Sequence, residues 1–176
     1  MNKRILFVVP YVPNLIRVRP YNLVRSLAEL GHEVTVLTLW SDELERASLA
    51  QLQPYTRRVI ATHLPRWRSL WNCLTAVPTN KPLQSVFCWE PGMARQIQSL
   101  AGLNGNQQFD VVHVEHLRGA AYGLHFKALQ ANQRKRIPVV WDSVDSISML
   151  FRQAVTGSQS PVSRSITRFE LGRTAR

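Results

Sequence analysis

Three side chains able to do chemistry crowd one short stretch: His113, Glu115 and His116. They close the apolar run Phe109-Asp110-Val111-Val112-His113-Val114. Imidazole and carboxylate can both move protons, and both ligate metals. If the run is a strand, alternation puts His113 and Glu115 on one face and leaves His116 at the start of the next loop. No third ligand completes the H-x-E-H pattern as a zinc site, so no metal is expected. In the plainer reading, His113 is buried against backbone and Glu115 pairs with Arg118 at the surface. A second acidic set, Asp142 and Asp145, follows the run Ile137-Pro138-Val139-Val140-Trp141. Either aspartate can bind ligand hydroxyls. Ser143 or Asp145 can instead cap a helix, which leaves Asp142 the better ligand candidate.

Arg17 and Arg19 end the loop that begins at Tyr11, just before a helix-like segment. Backbone N–H groups and the helix dipole attract an anion there, and two guanidinium groups add to the pull. A phosphate is the natural ligand; two solvated surface arginines are the alternative. Further on, Trp67, Leu70, Trp71 and Leu74 fall at i, i+3, i+4 and i+7, with Arg66 and Arg68 beside them. Such a stripe suits an anionic membrane interface. It equally suits packing on a sheet or under a further domain.

These residues need elements to position them. Ile5 to Val9 is an apolar run broken at Pro10; Pro20 to Leu30 has helical spacing and stops at Gly31; Val34 to Leu39 is a second apolar run. Strand, helix, strand within so short a stretch predicts a βαβ unit and a parallel sheet. In such sheets ligands bind at the carboxyl ends of the strands. A helix is predicted from Ser41 to about Gln51, a third strand over Arg58 to Thr62, and short helices over Arg66 to Leu74 and Gly92 to Leu100. A fourth strand covers Phe109 to Val114, a helix Gly119 to Gln130, and a fifth strand Ile137 to Trp141. Helices are predicted over Ser146 to Ala154 and Ser165 to Arg173, with a Ser-rich loop from Gly157 between them. The class is α/β: a Rossmann-like parallel sheet with helices on both faces.

The chain has 176 residues, suited to one domain, and is 45% hydrophobic, enough for a core. Lys and Arg number 22 against 11 Asp and Glu, a net charge of +11, which favours anionic partners. The basic residues are scattered rather than interleaved with aromatics, and neither G-x-G-x-x-G nor a P-loop occurs, so nucleic acid is not the expected partner. Cys73 and Cys88 form no C-x-x-C, which fits a reducing cytoplasm. No run is apolar over the roughly 18 residues of a membrane span. Any membrane contact is expected to be peripheral, at the inner face.

Taken in order, several segments resemble the N-terminal domain of GT-B glycosyltransferases, in particular the family 4-like (group 1) enzymes. They are Ile5-Leu6-Phe7-Val8-Val9-Pro10, Arg19-Pro20-Tyr21-Asn22-Leu23 and Leu27-Ala28-Glu29-Leu30-Gly31-His32-Glu33-Val34. Phe109-Asp110-Val111-Val112-His113 and Pro138-Val139-Val140-Trp141-Asp142-Ser143-Val144-Asp145 complete the set. The resemblance implies the acceptor-side half of a two-domain enzyme, spanning 1–176, with the donor half outside it. It implies transfer of a sugar from a nucleotide-sugar to a hydroxyl of a glycan or lipid-linked acceptor, as in polysaccharide assembly, with no cofactor. A polar residue after the fourth strand, often His, lies near the reacting sugar in that family. Glu115 holds the place by count and His116 is next, so either is a catalytic candidate that orients or deprotonates the acceptor. Tyr11, Arg17, Arg19, Arg118, Asp142 and Asp145 form the expected acceptor and phosphate site. The family's glycine pair in the first loop is replaced here by Asn14-Leu15-Ile16, so contact by arginine side chains is expected instead of backbone cradling. One half alone is expected to bind without turnover. The alternatives are a basic Rossmann-like binding module and a scaffold subunit that pairs with a separate donor domain.

Overall fold

The computed structural model describes residues 2–102, 108–133, 136–143, 149, 152–154 and 161–174. Strands β1 (Arg4–Val9), β2 (Glu33–Trp40), β3 (Arg58–His63), β4 (Val111–Glu115) and β5 (Val139–Asp142) form one sheet, in the order β3-β2-β1-β4-β5. Every pairing is parallel. The runs are apolar on both faces because both faces are covered. Leu6 and Val8 join Leu37, Met93, Ile97, Tyr122 and Phe126 on one side; Phe7 and Val9 join Tyr21, Val24, Val36 and Leu52 on the other. The strand order reverses between β1 and β4, so the loops that follow them part there and leave a crevice.

The first face is closed by α5 (Pro91–Ala101) and α6 (Ala120–Leu129), the second by α1 (Val18–Glu29) and the 3₁₀ stretch Leu49–Tyr55 that follows α2 (Glu43–Ser48). Gly31 ends α1 at φ +84°, a left-handed conformation that an L side chain rarely takes. Gly123 lets α6 sit tight on β4, since a Cβ there would come within 3.0 Å of the Val114 side chain.

Several boundaries differ from the sequence reading. Helix α1 starts at Val18, so Arg17 is its N-cap and Arg19 lies inside the first turn, not before it. The cause is Asn14, whose Oδ1 accepts from the Ile16 and Arg17 N–H groups and turns the chain early. Strands β4 and β5 each run one residue further, because Glu115 pairs in register with Asp142. A 3₁₀ turn, Leu117–Gly119, precedes α6. Helix α4 (Leu83–Phe87) lies where no helix was expected. It sits beside α3 (Arg66–Ala76) and the Leu117–Gly119 turn.

Helix α7 (Pro161–Thr174) starts four residues before the expected Ser165, with proline at its first position. Its Glu170 accepts from the Leu83 N–H at 3.0 Å, and Arg173 donates to the carbonyls of Ala76, Val77 and Lys81. Met149 and residues 152–154 are helical, as expected for that segment; the rest of Ser146 to Ala154, and 157–160 of the Ser-rich loop, lie outside the described residues. Among the described residues no helix is long and apolar enough to cross a membrane.

The Trp67 stripe does not pack on the sheet. Trp67, Leu70, Trp71 and Leu74 are 59%, 64%, 57% and 65% exposed along α3. Helical spacing identifies a face but not what lies opposite it. Here α3 stands outside the layer that covers the sheet and buries Ser69 and Ala76 instead.

Candidate functional site

The carboxyl edge of the sheet gathers two linked sets of side chains. The first centres on Arg19, which reaches from α1 across the β1–β4 crevice. Its guanidinium donates to Glu115 Oε1 at 2.6 Å and to Asp142 Oδ2 at 2.5 Å. The second Glu115 oxygen lies 3.2 Å from His113 Nε2, and the His113 ring stacks on Phe7 at 4.5 Å. Period-two alternation brings His113 and Glu115 to one face as expected; parallel register brings Asp142 alongside. Glu115 is fully buried, while about half of the Arg19 side chain is exposed. The hydrogen bond to Asp142 is the main cause that holds the Arg19 guanidinium above its ordinary pKa. Glu115 therefore does not pair with Arg118, and His113 is not bonded simply to backbone.

Ligand atoms of His113, Glu115 and Asp142 lie within 4.8 Å of one another. The third metal donor that H-x-E-H lacks along the chain thus comes from β5. The cation that both carboxylates meet in this structure is the Arg19 guanidinium.

The second set centres on His116. Its backbone has φ 66° and ψ 157°, and it is the one non-glycine with positive φ among the described residues. That region belongs essentially to glycine, and a side chain there costs of order 1–3 kcal/mol. Hydrogen bonds hold it in place. The His116 N–H donates to the Asp142 carbonyl at 2.8 Å; its own carbonyl accepts from Gly119 N and from Trp141 Nε1. Its ring Nδ1 accepts from the Arg118 N–H at 3.1 Å, so the neutral ring carries its proton on Nε2.

Tyr11 meets His116 edge-on at 6.2 Å, and Arg17 lies over the Tyr11 ring at 4.9 Å. Burial first, and then the Glu115 carboxylate, push the Tyr11 pKa above its ordinary value. Arg17 also pairs with Glu45 at 2.7 Å. Arg118 donates to Gln84 Oε1 at 2.7 Å and lies over Phe87.

Against this geometry, residues 16–176 match the family model described as "Glycosyl transferase 4-like domain". This chain belongs to that family. The glycosyl transferase 4-like domain is the N-terminal Rossmann-like half of the GT-B architecture, and the five-stranded parallel sheet agrees with it. No curated protein matches the chain. Among solved structures it is similar to the C-terminal domain of a hydrogenase from Pyrococcus furiosus, at 14% identity and a TM-score of 0.52. That match covers 80% of this chain and 90% of the other, and at such identity it bears on the fold alone.

Tyr11, Arg17, Arg19, Glu115, His116, Arg118 and Asp142 thus meet at one edge of the domain. Trp67, Trp71, Arg66 and Arg68 lie apart, on α3; there Arg68 stacks on Trp67 and pairs with Glu90. Asp145 lies outside the described residues. Sequence reasoning missed Asn14, Glu45, Gln84 and Trp141 as partners. Asn14 alone had a local signal, an Asx residue three positions before a helix cap.

Proposed function

We propose that this glycosyltransferase-family domain holds the acceptor at the carboxyl edge of its sheet, for transfer of a sugar from a nucleotide-sugar held by a further domain. The observation that carries the reading is His116, a strained histidine fixed by four hydrogen bonds where the strand order reverses. Backbone strain of this kind persists only where the surroundings over-determine it, and it clusters at functional sites. Its imidazole, fixed at this edge through Nδ1, supports a role in orienting an acceptor hydroxyl. Tyr11 and Arg118 flank it and suit the sugar ring and any phosphate on it.

Glu115 is buried with both oxygens engaged, which supports a positioning role: it anchors Arg19, and Arg19 sets Asp142. A phosphate arriving at Arg19 would share the guanidinium with two carboxylates. The exposed Trp67 and Trp71, with Arg66 beside them, support peripheral contact with an anionic membrane, where a lipid-linked acceptor would be met.

Ligand-observed NMR on the purified chain tests the reading. Phosphorylated or lipid-linked saccharides should bind, and Tyr11→Ala or His116→Ala should weaken them about tenfold or more. Binding of nucleotide-sugars at those residues, with no saccharide bound, would overturn it.

A further inference from the structure

Near the acceptor edge, α3, α4 and α6 line a half-open cavity of about 770 Å³, within the range of small-molecule sites. Its walls include Val86, Trp89, Leu117, Ala121 and Leu124. Of the polar residues that line it, Asn72, Thr75, Thr79 and Ser85 spend protons on backbone; Lys81 and His125 are the others. Asn72 Nδ2 donates to the Trp89 carbonyl, Thr75 Oγ1 to Trp71, Thr79 Oγ1 to Ala76 and Ser85 Oγ to Pro82. A sugar or nucleotide placed there would find free donors only at Lys81 and the His125 ring and would leave most of its hydroxyls unpaired, at a cost.

The wall is also rigid. Trp89 stacks on Tyr122 at 5.0 Å, and the Tyr122 hydroxyl donates to the Cys88 carbonyl while accepting from the Glu90 N–H. Burial holds the Tyr122 hydroxyl and the Cys88 thiol protonated, the thiol pushed up to about 11. A mostly apolar wall, with free donors only at Lys81 and the His125 ring, suits hydrocarbon.

Two features say which hydrocarbon. Leu117, in the wall, follows His116 directly, so the cavity opens next to the proposed acceptor site. Lys81, exposed, lines the same cavity and offers a cation to an anionic head.

We propose that this cavity takes the hydrocarbon chain of an amphiphile, the tail of a lipid-linked acceptor whose anionic group meets Lys81 and whose saccharide lies toward His116 and Arg118. The proposal rests on the acceptor reading above and names its substrate class.

Tryptophan fluorescence tests it on the whole chain. In the double variant Trp67→Phe/Trp71→Phe, dibromostearate is titrated below its micelle concentration, and bromine near Trp89 quenches. Saturable quenching is expected, weakened about tenfold by Ala121→Phe, which fills the cavity. Lys81→Glu should weaken dibromostearate while leaving a brominated alkyl alcohol unchanged, a variant that keeps the wall intact. Quenching that is absent, unaffected by Ala121→Phe in a folded protein, or lost whenever Trp67 and Trp71 are replaced overturns the proposal. The last result would put the lipid on the outer face of α3. The probe carries no sugar, so the two readings fail separately. Quenching without saccharide binding sinks the acceptor site alone; saccharide binding without quenching sinks the cavity alone.

Discussion

At the scale of single residues, the carboxyl edge is built around a buried charge. Glu115 has no exposed surface, and its charge-assisted partner is Arg19. Removing one member of such a pair leaves the other desolvated and uncompensated. Arg19→Met should therefore destabilise the domain by about 2 kcal/mol, softened because Arg19 is half exposed. Glu115→Gln introduced on top of it should regain part of the loss, since the stranded charge is then gone. Urea denaturation of the two singles and the double reads the coupling; additive losses would show that the pair does not act as a unit.

His116 allows a separate test of strain. Glycine and alanine both remove the imidazole, but only glycine relaxes φ 66°. His116→Gly should be more stable than His116→Ala by about 1 kcal/mol, while both lose acceptor binding equally. Equal stability would mean that the backbone there is not strained.

At the scale of elements, register does most of the positioning, and Asp110 helps set it. The Arg4 N–H donates to the Asp110 carboxylate at 2.8 Å, and the Asp110 N–H donates to the Arg4 carbonyl, locking the start of β1 beside β4. The backbone bond from Arg4 is the main cause that lowers the Asp110 pKa. A lowered carboxylate pKa adds stability that is present above the unfolded value, about 3.9. That stability fades as pH falls through the lower folded value. Asp110→Asn keeps an acceptor oxygen and removes the charge. The stability gap between wild type and variant should thus be full at pH 7 and close toward pH 2. It should be small throughout, because the side chain is exposed to screening. Denaturation midpoints across that range check it.

The elements also explain what could be read in advance. Apolar runs and the helix between them made the parallel sheet legible, and alternation put His113 and Glu115 on one face. The Arg19–Glu115 pair was not legible, because the two are joined only through the β1–β4 pairing and an early turn at Asn14. Helix α4 is five residues long, shorter than any periodic pattern can register. The cavity arises from three helices and belongs to no single segment.

At the scale of the whole molecule, a net charge of +11 meets a helix that leaves two tryptophans in water. Large apolar side chains grouped on one exposed face mark an interaction surface. The same spacing that would suit a core is left exposed here among the described residues. A bilayer surface fits both halves of the observation. Indole rings settle at the interface, and each basic residue near an anionic surface adds about 1 kcal/mol. Sedimentation with vesicles separates the contributions. The chain should bind vesicles containing anionic lipid, bind zwitterionic ones weakly, and release as salt shortens the electrostatic reach. Trp67→Ala/Trp71→Ala should leave the thermal midpoint nearly unchanged, because neither ring packs in the core. It should nonetheless weaken vesicle binding about tenfold, since the apolar anchor is lost while the charge remains. A fall in thermal midpoint would instead place the two rings in the fold's own stability. Unchanged vesicle binding would assign the face to a protein partner.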